Sequence, residues 1–320
     1  MRRFIITAII IITVCYGIII YFFSSLIITP KKKAVGSERD VLEREYGYAQ
    51  DFVVQTNDGL LLKGWFFNNP EDGDCGAVIL HGWGNNREGV VKFFPLVWDR
   101  GCDIAIYDHR AHGDSEGEWG AGAVLEAQDL LLVHDWLKDK TRLSDREVAW
   151  IGESWGAVAV IHAASEVPEL SFIVADSPFG SWEEAVMERG ILDYGSWIKS
   201  LSSGIFSIVK ARTGVGREES NTYHAAAELK IPVFLIHSKN DEATSSEQSV
   251  RIAENLNPTT SVFHHTEWGS AHVKDMVNYP KRYAMLFEQF LVEQGITFGK
   301  EKTGSSQETI QPSFRDASED

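Results

Sequence analysis

Cysteine is scarce in this 320-residue chain: Cys15, Cys75 and Cys102 are all there is, with no Cys-x-x-Cys pair and no metal-ligand spacing to a histidine. That excludes a disulfide-framework fold and a cysteine-built zinc site, and leaves only a single Cys75–Cys102 pair open. Basic residues are also few. Between the first 33 and the last 22 residues, positions 34–298 carry 22 Lys/Arg against 41 Asp/Glu, a net charge of −19. A body that acidic repels phosphate backbones, so nucleic acid is not an expected partner. No internal repeat period is present either. What remains is an ordinary globular composition, 44% hydrophobic and 24% charged, long enough to bury a large core.

The two ends differ from the body. Phe4 to Ile28 is a run of 25 residues without a charge, flanked by Arg2 and Arg3 on one side and Lys31, Lys32 and Lys33 on the other. As a helix it would span roughly 37 Å, more than the ~30 Å hydrocarbon layer. A cleaved signal peptide has an apolar core of only ~7–15 residues and a small-x-small site after it, which is missing here. Residues 1–33 are therefore expected to be a transmembrane anchor whose orientation the balanced flanking charges leave open, followed by a stalk at 34–50. At the other end, 299–320 is polar, aperiodic and expected to be disordered.

Between them two periods alternate. Phe52–Thr56 and Leu60–Phe67 flank the turn Asn57-Asp58-Gly59 and predict a β-hairpin. Short apolar runs at 77–80, 104–107, 148–151, 172–175, 233–236 and 261–263 suit strands buried on both faces of a parallel sheet. Segments with helical spacing, such as 124–137 and 277–291, lie between them. The pattern predicts an α/β fold over 51–298: a mostly parallel sheet with an antiparallel N-terminal hairpin and helices on both faces. Over fifty residues separate the strands ending near Asp176 and opening at Pro232, too many for a plain loop, so a helical lid insertion is expected at about 179–228.

Gly152-Glu153-Ser154-Trp155-Gly156 joins the strand at 147–151 directly to an apolar helical stretch. With 27 glycines and 26 serines, a chance Gly-x-Ser-x-Gly arises in about one such chain in five, so the strand–turn–helix context is what gives the match weight. In such a turn the serine hydroxyl projects over the sheet edge, and only glycine fits two residues to either side. A hydroxyl needs a base, and the base an orienting carboxylate, in the chain order Ser, acid, His. Asp241, in the polar turn after strand 233–236, is the favoured acid over the more distant Glu242. His272, in a small-residue loop, is the favoured base over His264 and His265, which belong to a strand end. The backbone amides of Trp155 and of Trp83, in the His81-Gly82-Trp83-Gly84 turn, are the expected oxyanion donors. Asp108 to Ser115 is expected to be a buried hydrogen-bonding turn, with a metal site at His109, His112 and Asp114 the weaker alternative.

HGWG (81–84), YDHRAHGDSEG (107–117), GESWG (152–156), DSPF (176–179), HSKND (237–241) and GSAH (269–272) occur in this order. The set resembles the α/β-hydrolase superfamily, specifically the membrane-anchored serine hydrolases of the Bem46 and YqkD-like group, over roughly residues 50–295. The resemblance implies a Ser154–His272–Asp241 triad, oxyanion amides at Trp83 and Trp155, and cleavage of esters, thioesters or peptides without a cofactor or metal. An acyltransferase or thioesterase using the same triad, or an inactive hydrolase-fold binding protein, are the alternatives. Trp182, Trp197 and Trp268, with Trp83 and Trp155, fall on expected site loops or the lid. Beside a membrane anchor at 4–28, they suggest an apolar pocket for a small-molecule or lipid-like acyl substrate.

Overall fold

The computed structural model describes residues 1–71 and 73–300. The apolar N-terminal run forms α1 (Arg2–Ile28), and the short α2 (Arg39–Tyr46) follows it. The strands of the hairpin are β1 (Ala49–Gln55) and β2 (Leu61–Phe67), joined through Gly59 at φ +92°, a conformation that glycine adopts without a side-chain clash. Then come β3 (Gly76–Leu80), α3 (Phe94–Trp98), β4 (Asp103–Tyr107), α4 (Val124–Thr141), β5 (Val148–Glu153), α5 (Trp155–Ala163) and β6 (Phe172–Asp176). Between β6 and the next strand the chain forms α6 (Trp182–Tyr194), a 3-10 turn at Ser196–Leu201, α7 (Ser202–Thr213) and α8 (Thr222–Ala227). The last elements are β7 (Val233–Ser238), α9 (Ser246–Asn255), β8 (Ser261–Thr266), α10 (Asp275–Asn278) and α11 (Pro280–Glu293).

The eight strands make one sheet in the order β1-β2-β4-β3-β5-β6-β7-β8, parallel from β4 to β8, with the hairpin antiparallel at one edge. Every residue of β3, β5, β6 and β7 is buried, which is why these strands read as unbroken apolar runs. Side-chain alternation divides the interior. Val78 and Leu80 face a cluster built with α4, α5 and α7, whereas Ala77 and Ile79 face one built with α3 and α11. Ile20 and Ile28 of α1 belong to the first cluster, so the end of the apolar helix is packed into the domain. Of the C-terminal segment expected to be disordered, 301–320 lies outside the described residues.

Cys75 and Cys102 immediately precede the paired strands β3 and β4, which brings their Cα atoms within 4.6 Å, and they form a disulfide. Closing a loop over a sequence separation of 27 limits the unfolded chain, worth about 3.5 kcal/mol in the chain-entropy picture. The double variant Cys75→Ala/Cys102→Ala is accordingly expected to lose about 3.5 kcal/mol of stability. Chemical unfolding of the full chain in detergent, against wild type, measures the loss.

Candidate active site

β5 ends at Glu153 and α5 begins at Trp155, so Ser154 is the whole of the turn between them, at φ +51° and ψ −112°. A non-glycine residue there is strained, and the surroundings leave it no alternative. A Cβ on Gly152 would lie 2.3 Å from the carbonyl oxygen of Gly156, and one on Gly156 2.5 Å from that of Leu80. The Ser154 N–H is held by the carbonyl of Asp176 at 2.7 Å.

The structure brings Ser154, His272 and Asp241 into one line. The Ser154 hydroxyl donates to Nε2 of His272 at 2.8 Å, and Nδ1–H of the same ring donates to Oδ2 of Asp241 at 2.5 Å. The Asp241 carboxylate is buried, and its other oxygen accepts the backbone N–H groups of Ala243 and Thr244. Burial alone would raise its pKa, but hydrogen bonds from His237 and His272 outweigh that and hold it well below the usual carboxylate range. Glu242, the weaker candidate acid, is exposed. His264 and His265 lie within β8 on opposite faces, one against Phe234 and the other bonded to Ser246.

Two residues at the site have no counterpart in the sequence reading. His237 Nε2–H donates to the same Oδ2 of Asp241 at 2.9 Å, while the Ser249 hydroxyl donates to its Nδ1 at 2.7 Å. Asp241 thus sits between two imidazoles. Lys92 places its ammonium 2.5 Å from the Glu153 carboxylate and donates to the carbonyl of Val273 at 2.7 Å. It therefore ties the residue before the serine to the residue after the histidine. A lone lysine in a stretch of Val and Phe carries no motif, and HSKND (237–241) singles out its aspartate without giving His237 a role.

The Gly82 backbone abuts Ser154: a Cβ there would lie 3.2 Å from its Cβ and 3.7 Å from its Oγ. The Trp83 peptide follows directly, and Trp155 opens α5, ahead of the helix's own hydrogen-bond register. Trp83 thus follows a residue whose backbone adjoins Ser154, and Trp155 follows Ser154 itself. Behind them His81, His109 and His112 are buried, and burial pushes His109 down to about 3 and His112 to about 4, so these rings are neutral. His109 and His112 bond within the turns, through His81 and the carbonyl of Arg110, while Asp114 pairs with Arg87. Among the described residues, metal-capable side chains cluster at His237, Asp241 and His272 instead, and the contacts between them are the donor–acceptor bonds above.

A cavity of about 300 Å³ opens beside Ser154, between α5, the β6–β7 insertion and the end of α1. Trp83, Trp155 and Trp182 line it, with Trp155 in ring contact with both of the others. Trp197 and Trp268 do not. Trp197 is 53% exposed on the insertion, against Phe23, and Trp268 packs on Tyr279 in the α11-side cluster. In both cases neighbouring residues of the same loop, rather than the tryptophan, turn toward the serine.

The sequence pattern of the X-Pro dipeptidyl-peptidase (S15) family matches residues 42–208. Protein YqkD of Bacillus subtilis is 30% identical over 72% of this chain and 79% of its own. Among solved structures, the esterase Pf2001 of Pyrococcus furiosus superimposes with a TM-score of 0.66 at 24% identity, over 82% of this chain and 98% of its own. A membrane phospholipase A described as a bacterial virulence factor gives 0.58 at 14% identity, over 93% and 100%. These likenesses establish the α/β-hydrolase fold.

Two substitutions test the supports of the site. Lys92→Met leaves the buried Glu153 carboxylate without its partner and should destabilise the protein by about 3–5 kcal/mol, read by chemical unfolding. His237→Ala removes one donor to Asp241, a bond to a charged group worth ~1.5–3 kcal/mol, and should slow fluorophosphonate labelling of Ser154 about tenfold or more at saturating probe. Probe affinity should stay as in wild type, and His237→Gln, which keeps a donor, should recover most of the rate.

Proposed function

This chain belongs to the α/β-hydrolase family whose pattern is described as X-Pro dipeptidyl-peptidase (S15 family), and we propose that it is a membrane-anchored serine hydrolase. Its substrate is an acyl compound of ester, thioester or peptide type, cleaved through Ser154, His272 and Asp241. The observation that carries this reading is the continuous line from the Ser154 hydroxyl through both nitrogens of His272 to the Asp241 carboxylate. In such a line His272 takes the serine proton as Oγ attacks the acyl carbonyl, and Asp241 stabilises the imidazolium. The amides of Trp83 and Trp155 receive the oxyanion, each such donor being worth ~3 kcal/mol. His272 then protonates the leaving group, and a water that it deprotonates releases the acyl group from the serine.

An esterase and a membrane phospholipase are among the similar structures, but at their level of identity they support the fold alone. The acyl class rests instead on the apolar lining beside the serine. Anchoring rests on α1, which has a mean hydropathy of 2.6 and is long enough to cross a bilayer.

Labelling with a fluorophosphonate tests the reading. Wild type should label, and Ser154→Ala should not. Ester hydrolysis should fall by at least ~10³-fold in Ser154→Ala and in His272→Ala. A wild-type protein that labels no better than Ser154→Ala would refute the proposal.

A further inference from the structure

A tether needs only to be long and apolar, yet α1 does more. Its 27 residues make a helix of roughly 40 Å, about 10 Å longer than a hydrocarbon layer. The surplus is about two turns; contact with the domain begins earlier, where Tyr16 and Ile20 meet α7, and the last two turns reach the cavity. Phe23, Leu26 and Ile27 line the cavity that holds Ser154, opposite Trp155 and Met187. Ser24 and Ile28 are buried, Arg212 of α7 donates to Ser25, and the Gly120 N–H caps the carbonyl of Ile28. α7 lies so close along α1 that a Cβ on Gly204 would come within 2.5 Å of the Tyr16 hydroxyl.

The cavity's mouth is also at this end. Leu26, Arg189, Asp193 and Tyr194 line the cavity and are exposed, so they form its rim, with Arg189 and Asp193 paired to each other. Leu192, Tyr194 and Trp197, together with Tyr21 and Phe22 of α1, are large apolar or aromatic side chains left exposed beside that rim. Tyrosine and tryptophan favour the boundary between headgroups and hydrocarbon. A rim of this composition, directly beyond a membrane-spanning helix, sits at that boundary.

We propose that α1 is a wall of the substrate pocket as well as the anchor, and that the substrate is an acyl lipid resident in the bilayer. Its chain enters between the last turns of α1 and the end of α6, beside Leu26 and Tyr194, and lies along Phe23 and Ile27 with its carbonyl at Ser154. The proposal rests on the serine-hydrolase reading and narrows its substrate.

The test uses the full chain reconstituted in phosphatidylcholine vesicles, with p-nitrophenyl decanoate and p-nitrophenyl acetate as probes. The readout is the ratio of their kcat/KM values, per site labelled by fluorophosphonate, so only folded protein is counted. Wild type should favour the decanoate. Phe23→Ala, which removes part of the wall, and Ile27→Trp, which fills the channel, should each lower the ratio about tenfold. Ile9→Trp, on α1 but away from the cavity, should leave it within twofold. A wild type that labels but prefers acetate, or variants that label but keep the wild-type ratio, would overturn this proposal and leave the serine hydrolase standing. A wild type that does not label would overturn both.

Discussion

Strand, turn and helix meet within backbone contact at the edge of the sheet, and the placement of Ser154 depends on that contact. Gly152, Gly156 and the carbonyl of Leu80 leave no room for a single methyl group, so α5 can start only where it does and Ser154 can take only a positive φ. Strain of this kind costs about 1–3 kcal/mol and persists only where surrounding structure over-determines it. The surroundings here are β5, buried at every residue, and α5, buried at all but one of its nine. The most hydrophobic part of the fold is thus what holds this hydroxyl in its place at the sheet edge.

Beneath the serine a second constraint operates through charge. Glu153, Asp176 and Asp275 are buried together with one ammonium, that of Lys92, and burial pushes Asp176 up to about 6. Three acids around one base cannot all be charged without cost, and Lys92 makes its close contact with the one adjoining Ser154. Because the same ammonium holds the carbonyl of Val273, the loop bearing His272 is fixed to the core rather than left to solvent. Val273 itself has a φ of +53°, uncommon for a β-branched residue, and its carbonyl is the one Lys92 holds.

What could be read from sequence follows from where the physics is local. The buried parallel strands announce themselves as apolar runs, and the elbow as two glycines around a serine, because each answers to neighbours a few residues away. Strand ends were partly legible: His264 and His265 belong to the end of β8 as their alternation suggests, and the strand runs one residue further, to Thr266, which pairs with Ser238 of β7. Lys92 was illegible because its partners, Glu153 and Val273, are brought near only by the fold; His237 stands four residues from Asp241 but is of a type not unusual in its segment. Trp197 and Trp268 err in the other direction. Aromatic residues mark packing wherever it occurs, and only the fold decides that Trp182 meets Trp155 while Trp268 meets Tyr279.

The segment between α1 and the sheet, expected as a stalk, is bonded to the domain rather than free of it. Lys32 donates to the carbonyl of Ser115, Glu88 accepts the N–H groups of Gly36 and Glu38, and Arg39 of α2 pairs with Asp51 of β1. Exposed pairs of this kind are individually weak. Taken with Ile20 and Ile28 in the same cluster as α5 and α7, they leave no free length over which the body could swing about the helix. A flexible tether would hold an enzyme near a membrane in every orientation. A helix continuous with the core holds the body in one orientation, set by the packing of α1 against α7.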